Sequence, residues 1–240
     1  MVGPENEHRS TRPGESDTRS IYERALGSEF DELHPKVQQR FGFTSADGVA
    51  CIGRGTMEYV RNGGPHLLPF LWFGATHNTM FPEQNTAVPF TIRNYAYEDA
   101  FGRETVTWLR RFDMPRRRRF DAAMIYSERR NGIVDYLGTH HHLAVDIDLS
   151  VSDRGGVEIT TGPQRLYALG DGIPLPPTLS AQAAVHEWYD DEAECYRIAV
   201  SVTNPLVGPV FEYRGSFEAE WIDCEHAPEG IRPSSPTSGE

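Results

Sequence analysis

Lysine and cysteine are both scarce in this chain. Lys36 is the only lysine among the 23 Lys and Arg residues, so a Schiff-base mechanism has a single candidate, within a segment that looks helical, and we discount it. Cys51, Cys195 and Cys224 form no paired spacing. An odd and sparse set of cysteines is typical of a reducing compartment and argues against a disulfide framework.

Long apolar runs and cofactor motifs are also missing. No stretch of about 18 apolar residues occurs, which excludes a helical membrane span, and the polar N-terminus does not resemble a signal peptide. The segment "GRGTMEY" (53–59) lacks the third glycine of a dinucleotide-binding loop, and no G-x-S-x-G, Walker, H-E-x-x-H or paired C-x-x-C motif is present. We therefore expect a cytoplasmic protein without a cofactor and without a membrane partner.

The charge balance is acidic, with one basic exception. A formal net charge of −12 argues against nucleic acid as a partner, because such binding depends on neutralising phosphates. The exception is Arg116–Arg119 in "MPRRRRF", which has no interleaved aromatic residues. It is either a solvated turn or a docking site for an acidic carrier protein.

The 240 residues and their 38% hydrophobic content suit one large domain. Residues 1–19 and 226–240 have little to bury and are predicted to be disordered tails, leaving a single domain over 20–225. The segment "SIYERALGSEFDELHPKVQQRFG" is helical, with a break at Gly27 and a restart at Pro35. A second short helix is predicted in "PHLLPFLWFGA" (65–75), where it would plug one end of a sheet or cover a pocket.

From about residue 86 onward, apolar residues recur with a period of two, which indicates strands. Such faces contain Val106, Trp108 and Phe112; Phe120, Ala122, Met124 and Tyr126; Leu143, Val145, Ile147 and Leu149; Tyr196, Ile198, Val200 and Val202; and Phe211, Tyr213 and Phe217. Consecutive strands with short turns imply antiparallel pairing. The fold class we predict is mainly β: a single antiparallel β-barrel or strongly curved sheet with short N-terminal helices packed against it.

Several segments resemble a bacterial family known as DUF4166, a domain of unknown function. The resemblance rests on "YERALGSEFDELHPKVQQRF", "TMFPEQNTAVPFTIRNYAYED", "RETVTWLRRFDMPRRRRFDAAMIYS", "DYLGTHHHLAVDIDLSV", "GPQRLYAL" and "EWYDDEAECYRIAVSVTNPLVGPVFEYRGSF". It covers roughly residues 21–222. The family has no general activity that we know of, so the resemblance implies no catalytic residues.

Three consecutive histidines open the segment "HHHLAVDIDLSV". If residues 139–151 form one regular strand, His141 shares the apolar face of Leu143, whereas His140 and His142 lie on the opposite face with Asp146 and Asp148. His140 and His142 would then be about 7 Å apart at Cα, close enough to share a metal if another strand supplied further ligands. His141 is either a hydrogen-bonded core residue or a general acid or base in a cavity.

Other polar residues share these inward faces. Arg110 lies between Trp108 and Phe112, and Asp135 shares the parity of His141 unless Gly138 is a bulge. A buried guanidinium needs a partner, so the pair is either a structural ion pair or part of a pocket that binds a carboxylate or an enolate. The candidate catalytic residues are Arg110, Asp135, His141 and Tyr213, and the candidate ligand-binding residues are Trp108, Met124, Tyr126 and Phe211.

Barrels of this kind commonly enclose one hydrophobic small molecule. The function we predict is a cofactor-independent enzyme acting on such a molecule, a cyclase or isomerase of bacterial secondary metabolism. One alternative is a non-catalytic carrier of a lipid or metabolite. A third hypothesis is a metal-dependent enzyme that uses His140 and His142.

Overall fold

The computed structural model describes residues 18–167 and 172–228. The predicted tails, 1–19 and 226–240, lie outside these ranges except for residues 18, 19 and 226–228. The helices are α1 (Ile21–Leu26), α2 (Pro35–Gly42) and α3 (Leu68–Thr76), and three-ten turns cover Gly27–Glu32, Ser45–Asp47 and Pro65–Leu67. None of the helices in the described ranges is long and apolar enough to cross a membrane.

The strands are β1 (Val49–Asn62), β2 (Asn85–Glu98), β3 (Glu104–Phe112), β4 (Arg118–Ser127), β5 (Gly132–Leu137), β6 (Leu143–Val151), β7 (Val157–Leu166), β8 (Ile173–Pro174), β9 (Gln182–Asp190), β10 (Cys195–Asn204) and β11 (Gly208–Asp223). Their order is β6-β5-β4-β3-β2-β1-β11-β10-β9-β7, and β6 also pairs with β7. All pairings are antiparallel, so ten strands form a closed barrel, with β8 added beside β7. The predicted mainly β fold and barrel are confirmed.

Strand β1 was not predicted, although it completes the barrel by pairing with both β2 and β11. Its alternation is interrupted by Gly53 and Gly55, and neither residue can contribute an apolar side chain to the pattern. A Cβ at Gly53 would lie 2.6 Å from atoms of both Ile92 and Phe217. Glycine is required there because side chains of the neighbouring strands occupy the space beside it.

The two ends of the barrel are covered by different elements. At one end, which we call the closed end, α1 and α2 insert their apolar residues, and Tyr22 packs edge-on against Phe41 with 4.9 Å between ring centroids. Ser20 caps α1 and Pro35 begins α2, as the predicted helices require. The opposite end, which we call the open end, carries α3 and the segments 137–143, 172–182 and 204–208.

Candidate ligand site inside the barrel

A cavity of about 390 Å³ lies within the open-end half of the barrel. Most of its wall is aliphatic, and the contributing residues include Leu137, Val145, Ile147, Ile159, Val185 and Val200. Phe70, Phe73 and Gly74 of α3 also line it, so the segment predicted to plug the sheet or cover a pocket lies at the mouth. The volume and the apolar wall are typical of a site for one small hydrophobic molecule.

Aromatic and sulfur-containing side chains line the cavity toward the closed end. Trp108 and Met124, both predicted to bind ligand, form part of the wall. Trp108 donates its indole N–H to the hydroxyl of Tyr22 at 2.9 Å, and this hydroxyl donates to the sulfur of Met124 at 3.3 Å. Burial raises the pKa of Tyr22 above its usual range, so the phenol stays neutral. Helix α1 thereby fixes the position of two residues of the cavity wall.

Asp135 brings a carboxyl group into this apolar wall. It lies on β5 between Met124 of β4 and Val145 of β6, and its side chain faces the cavity. The residue is buried, and its Oδ1 atom has no hydrogen-bond partner. Burial raises the pKa of Asp135 to about 7, while the positive charge of Arg110 opposes the rise. The group can therefore exchange a proton near neutral pH.

Arg110 supplies the positive charge of the cavity. Its Nε donates to the backbone carbonyl of Phe120 at 3.0 Å, and its Nη1 donates to the hydroxyl of Tyr213 at 3.3 Å. The guanidinium also stacks over the ring of Phe120, 4.0 Å from the centroid. The described hydrogen bonds of the guanidinium go to Phe120 and Tyr213 and not to Asp135, so Arg110 and Asp135 act on each other through space. The guanidinium is held in place without neutralising the carboxyl.

Three histidines surround the mouth of the cavity. The ring centroid of His77 lies 5.3 Å from that of His140 and 6.3 Å from that of His142, and His140 and His142 are 5.6 Å apart. Burial lowers the pKa of His77, and the two neighbouring imidazoles lower it further. Across residues 18–167 and 172–228, no group of three or more His, Cys, Asp or Glu is arranged to hold a metal ion. The metal hypothesis gains no support from this geometry.

His141 does not line the cavity. The regular strand assumed over 139–151 begins only at Leu143, because Gly138 and His141 have positive φ angles of 76° and 55°. As a result His140 and His142 face the cavity. The ring of His141 stacks on that of Tyr136, 5.6 Å between centroids, and Tyr136 belongs to a small apolar cluster separate from the main core. Burial lowers the pKa of His141 to about 4. The parity argument was therefore wrong for the triplet.

The remaining predicted residues occupy other places. Tyr213 and Phe211 are buried in the core beside the cavity, and Tyr213 acts on the site only through its bond to Arg110. Tyr126 is half-buried near the closed end, where its hydroxyl donates to Asn131 at 2.9 Å and Arg24 lies over its ring. Of the eight candidate residues, Arg110, Asp135, Trp108 and Met124 are those that line the cavity.

One buried ion pair was missed by the sequence analysis. Arg40 of α2 and Glu187 of β9 meet inside the closed end, and Arg40 also donates to Asn94 at 2.8 Å and to the sulfur of Cys51 at 3.2 Å. Glu187 alternates with His186 and Trp188, which left its face undecided in the sequence. Arg40 falls on the helical face of Val37 and Phe41, and this position was the available signal.

The arginine cluster lies at the open end, in the turn between β3 and β4 and the start of β4. Arg117 pairs with Asp113, Arg118 with Glu83 and Arg119 with Asp121. Arg116 lies over the ring of Trp72, 5.0 Å from its centroid. Three of these four charges already have acidic partners within the chain, which reduces the charge available to an acidic carrier protein.

Comparisons with known proteins agree with the resemblance found in the sequence. A family model described as "Domain of unknown function (DUF4166)" matches residues 33–217. A protein of Bacillus subtilis (strain 168), "Uncharacterized protein YndH", is 34% identical over 202 residues, which cover 84% of this chain and 97% of that protein. No solved structure gives a significant match.

Proposed function

The chain belongs to the DUF4166 family, and we propose that it is a cofactor-independent acid–base enzyme, an isomerase or cyclase acting on a hydrophobic small molecule held inside the barrel. The observation that carries this proposal is Asp135: a buried carboxyl with an unpartnered oxygen and a pKa raised to about 7, in the wall of an apolar cavity. Groups perturbed in this way concentrate at functional sites.

The chemistry needs only one proton. The carboxylate of Asp135 takes a proton from a carbon beside a carbonyl group of the ligand, and the resulting enolate carries its negative charge on oxygen. The guanidinium of Arg110 stabilises that oxygen, since it is charged and already held by Phe120 and Tyr213. In a ligand with a double bond between the β and γ carbons, this enolate is conjugated, and the carboxylic acid returns the proton to the γ carbon as the double bond shifts to the α,β position. The same proton leaves and returns, so the isomerisation requires no cofactor.

The apolar wall contributes by positioning and by exclusion of water. A ligand that fills the cavity displaces water from Asp135 and Arg110, which strengthens their electrostatic effect on the ligand. Trp108 and Met124 are fixed through Tyr22, so the shape around the reacting atoms is set before the ligand binds. We also keep the cytoplasm as the proposed location, because Cys51, Cys195 and Cys224 are all free thiols.

The proposal can be tested by metabolite profiling of a strain that lacks the protein. The strain is complemented with the wild type, with Asp135→Asn, or with Asp148→Asn, a matched change at an exposed carboxyl on β6. We expect one compound to be replaced by another of the same mass, and only the wild type and Asp148→Asn to reverse this. An unchanged profile, or full reversal by Asp135→Asn, contradicts the proposal.

A carrier is the second candidate, favoured by the fact that Asp135 is the only carboxylate among the described residues that line this cavity. A carrier would retain its ligand unchanged, so extraction of protein purified from its own cells would yield a bound apolar compound. Asp135→Asn would then lower the amount of this compound without changing its identity. The third hypothesis, a metal enzyme using His140 and His142, requires a stoichiometric ion in protein purified without an affinity tag.

A further inference from the structure

Exposed apolar side chains are concentrated at the open end of the barrel. Among the described residues, eleven large hydrophobic side chains are exposed, and only Phe101 and Ile222 lie at the closed end. The other nine lie at the open end, and Phe70, Phe73, Leu166 and Leu179 among them also line the cavity. The most exposed of the nine are Phe73, Leu179 and Leu206, at 65%, 69% and 70%. A concentration of this kind around one opening marks an interaction surface, whereas scattered exposed residues do not.

Helix α3 supplies four of these nine side chains, those of Leu68, Phe70, Trp72 and Phe73. Its sequence, LPFLWFGAT, contains no charged residue, and a short helix that is apolar on all sides is normally buried. Here Leu71 and Gly74 are buried against the barrel, while Phe70, Trp72 and Phe73 face outward. The outward face therefore exposes three aromatic rings on one helix, an apolar patch of the kind that marks an interaction surface.

The two ends of the barrel also differ in charge. The open end carries the consecutive arginines Arg116–Arg118 in the β3–β4 turn, and both Arg116 and Arg118 lie over the ring of Trp72, about 5 Å from its centroid. The closed end carries the acidic turn between β9 and β10, with Asp190, Asp191, Glu192 and Glu194. An aromatic ring bracketed by arginines suits the headgroup region of a bilayer.

The acidic end lies too far away to repel a surface that meets the open end. Strands of about ten residues at ~3.3 Å per residue, tilted in the barrel, place the two ends on the order of 25 Å apart. The Debye length at physiological ionic strength is only ~8 Å. The carboxylates of the closed end are therefore screened from a negatively charged surface that meets the open end. The positive charge available to such a surface is chiefly that of Arg116, because Arg117 and Arg118 pair with Asp113 and Glu83.

We propose that the open end docks on the surface of a bilayer containing anionic lipids, with Phe70 and Phe73 inserted among the acyl chains and Trp72 and Arg116 at the headgroups. The ligand then enters from the membrane. Phe70, Phe73 and Leu179 belong both to the exposed surface and to the cavity wall, so an apolar molecule passes between them without crossing water. This choice of a membrane-dissolved ligand rests on the proposed function, but docking itself does not.

Docking on a bilayer departs from the expectation of no membrane partner. That expectation followed from the absence of a long apolar run, and α3, with nine residues, is indeed far too short to span a bilayer. Shallow insertion of one helical face requires no such run, because the helix lies in the plane of the interface.

The test is flotation of the purified full chain with vesicles of phosphatidylcholine alone and of phosphatidylcholine with one quarter phosphatidylglycerol. We expect the wild type to float with the anionic vesicles and to detach as salt is raised. Phe70→Ser/Phe73→Ser should reduce binding at least about tenfold, because two exposed aromatic anchors are lost. The matched control, Phe101→Ser/Ile222→Ser, removes the two exposed apolar residues of the closed end and should bind like the wild type.

Three results would overturn docking: no flotation of the wild type, undiminished flotation of Phe70→Ser/Phe73→Ser, or equal loss in the closed-end control. If the wild type binds no vesicles but forms a dimer, and Phe70→Ser/Phe73→Ser dissociates that dimer, the surface is an interface with a second copy of the chain instead. Asp135→Asn separates this inference from the proposed function, since it should float like the wild type. If it floats and no isomer is ever found, docking stands and the catalytic proposal fails.

Discussion

Arg40 and Glu187 form an ion pair inside the barrel, and both side chains are only 1% exposed to solvent. One comes from helix α2 and the other from strand β9, so the pair joins the inserted helix to the barrel wall. Arg40 Nη1 also binds the side-chain oxygen of Asn94, and the guanidinium lies 4.9 Å from the ring centroid of Phe217. A single change at either residue therefore leaves an uncompensated charge in a closed space.

We expect Glu187→Gln to lower the free energy of unfolding by about 3–5 kcal/mol, because the guanidinium of Arg40 stays buried without its counter-charge. The measurement is urea unfolding at neutral pH. Glu220→Gln is the matched control, since its partner Arg54 is exposed and the pair should contribute less than about 1 kcal/mol. Similar losses of unfolding free energy in the two variants would show that the buried pair contributes no more to stability than the exposed pair.

Asp135 should make the wild type less stable as pH rises. The native carboxyl has a pKa of about 7, above the unfolded value of about 4, so its stabilising contribution is complete below pH 4 and lost toward pH 7. Asp135→Asn removes this dependence. Relative to the wild type, the variant should gain about 2–4 kcal/mol between pH 4 and pH 8, measured by urea unfolding at both pH values. A constant difference would mean that the native pKa of Asp135 is ordinary.

Arg110→Met should raise the pKa of Asp135 above about 7, because the positive charge that opposes the effect of burial is removed. The pKa can be read from an NMR titration of the aspartate side-chain carboxyl carbons, with the Asp135 signal assigned by its loss in Asp135→Asn. Arg111→Met, the neighbouring residue on the outer face, pairs with Asp113 and should leave that pKa unchanged. A lower pKa of Asp135 in Arg110→Met would show that another group determines the pKa of this carboxyl.

Gly53→Ala should destabilise the barrel by about 1–3 kcal/mol, since the added methyl group overlaps Ile92 and Phe217, each only 2.6 Å from the ideal Cβ position. Thermal or urea unfolding measures the loss. Gly162→Ala is the control on β7, where the nearest atom would be 3.5 Å away and contact would be ordinary. Equal stability of both variants would mean that the side chains around Gly53 move aside freely.

Strand parity was sufficient to find the core of the candidate site. Trp108, Arg110 and Met124 lie on long regular strands, and Asp135 lies on a short one, so alternation placed all four on the inner face correctly. The same rule failed at His141, where positive φ angles before β6 exchange the faces of the histidines. Alternation holds only within a regular strand, and no feature of the triplet itself shows where the strand begins.

Contacts between distant segments were beyond the reach of such patterns. His77 meets His140 and His142 across more than sixty residues of chain, and Arg40 meets Glu187 across 147. β1 was missed because its glycines replace the side chains that alternation needs. In the structure it lies between β2 and β11 and pairs with both.

The pairing of β1 with β11 has a consequence for the time course of folding. Val49 of β1 lies opposite Asp223 of β11, so this seam joins the first and the last strand of the barrel. Contacts between residues so far apart in sequence form slowly, because the intervening chain must first lose conformational entropy. On the ribosome, β1 pairs early with β2 and leaves its other edge open until β11 emerges. During that interval the nascent sheet has an unpaired edge, which is the state most exposed to aggregation.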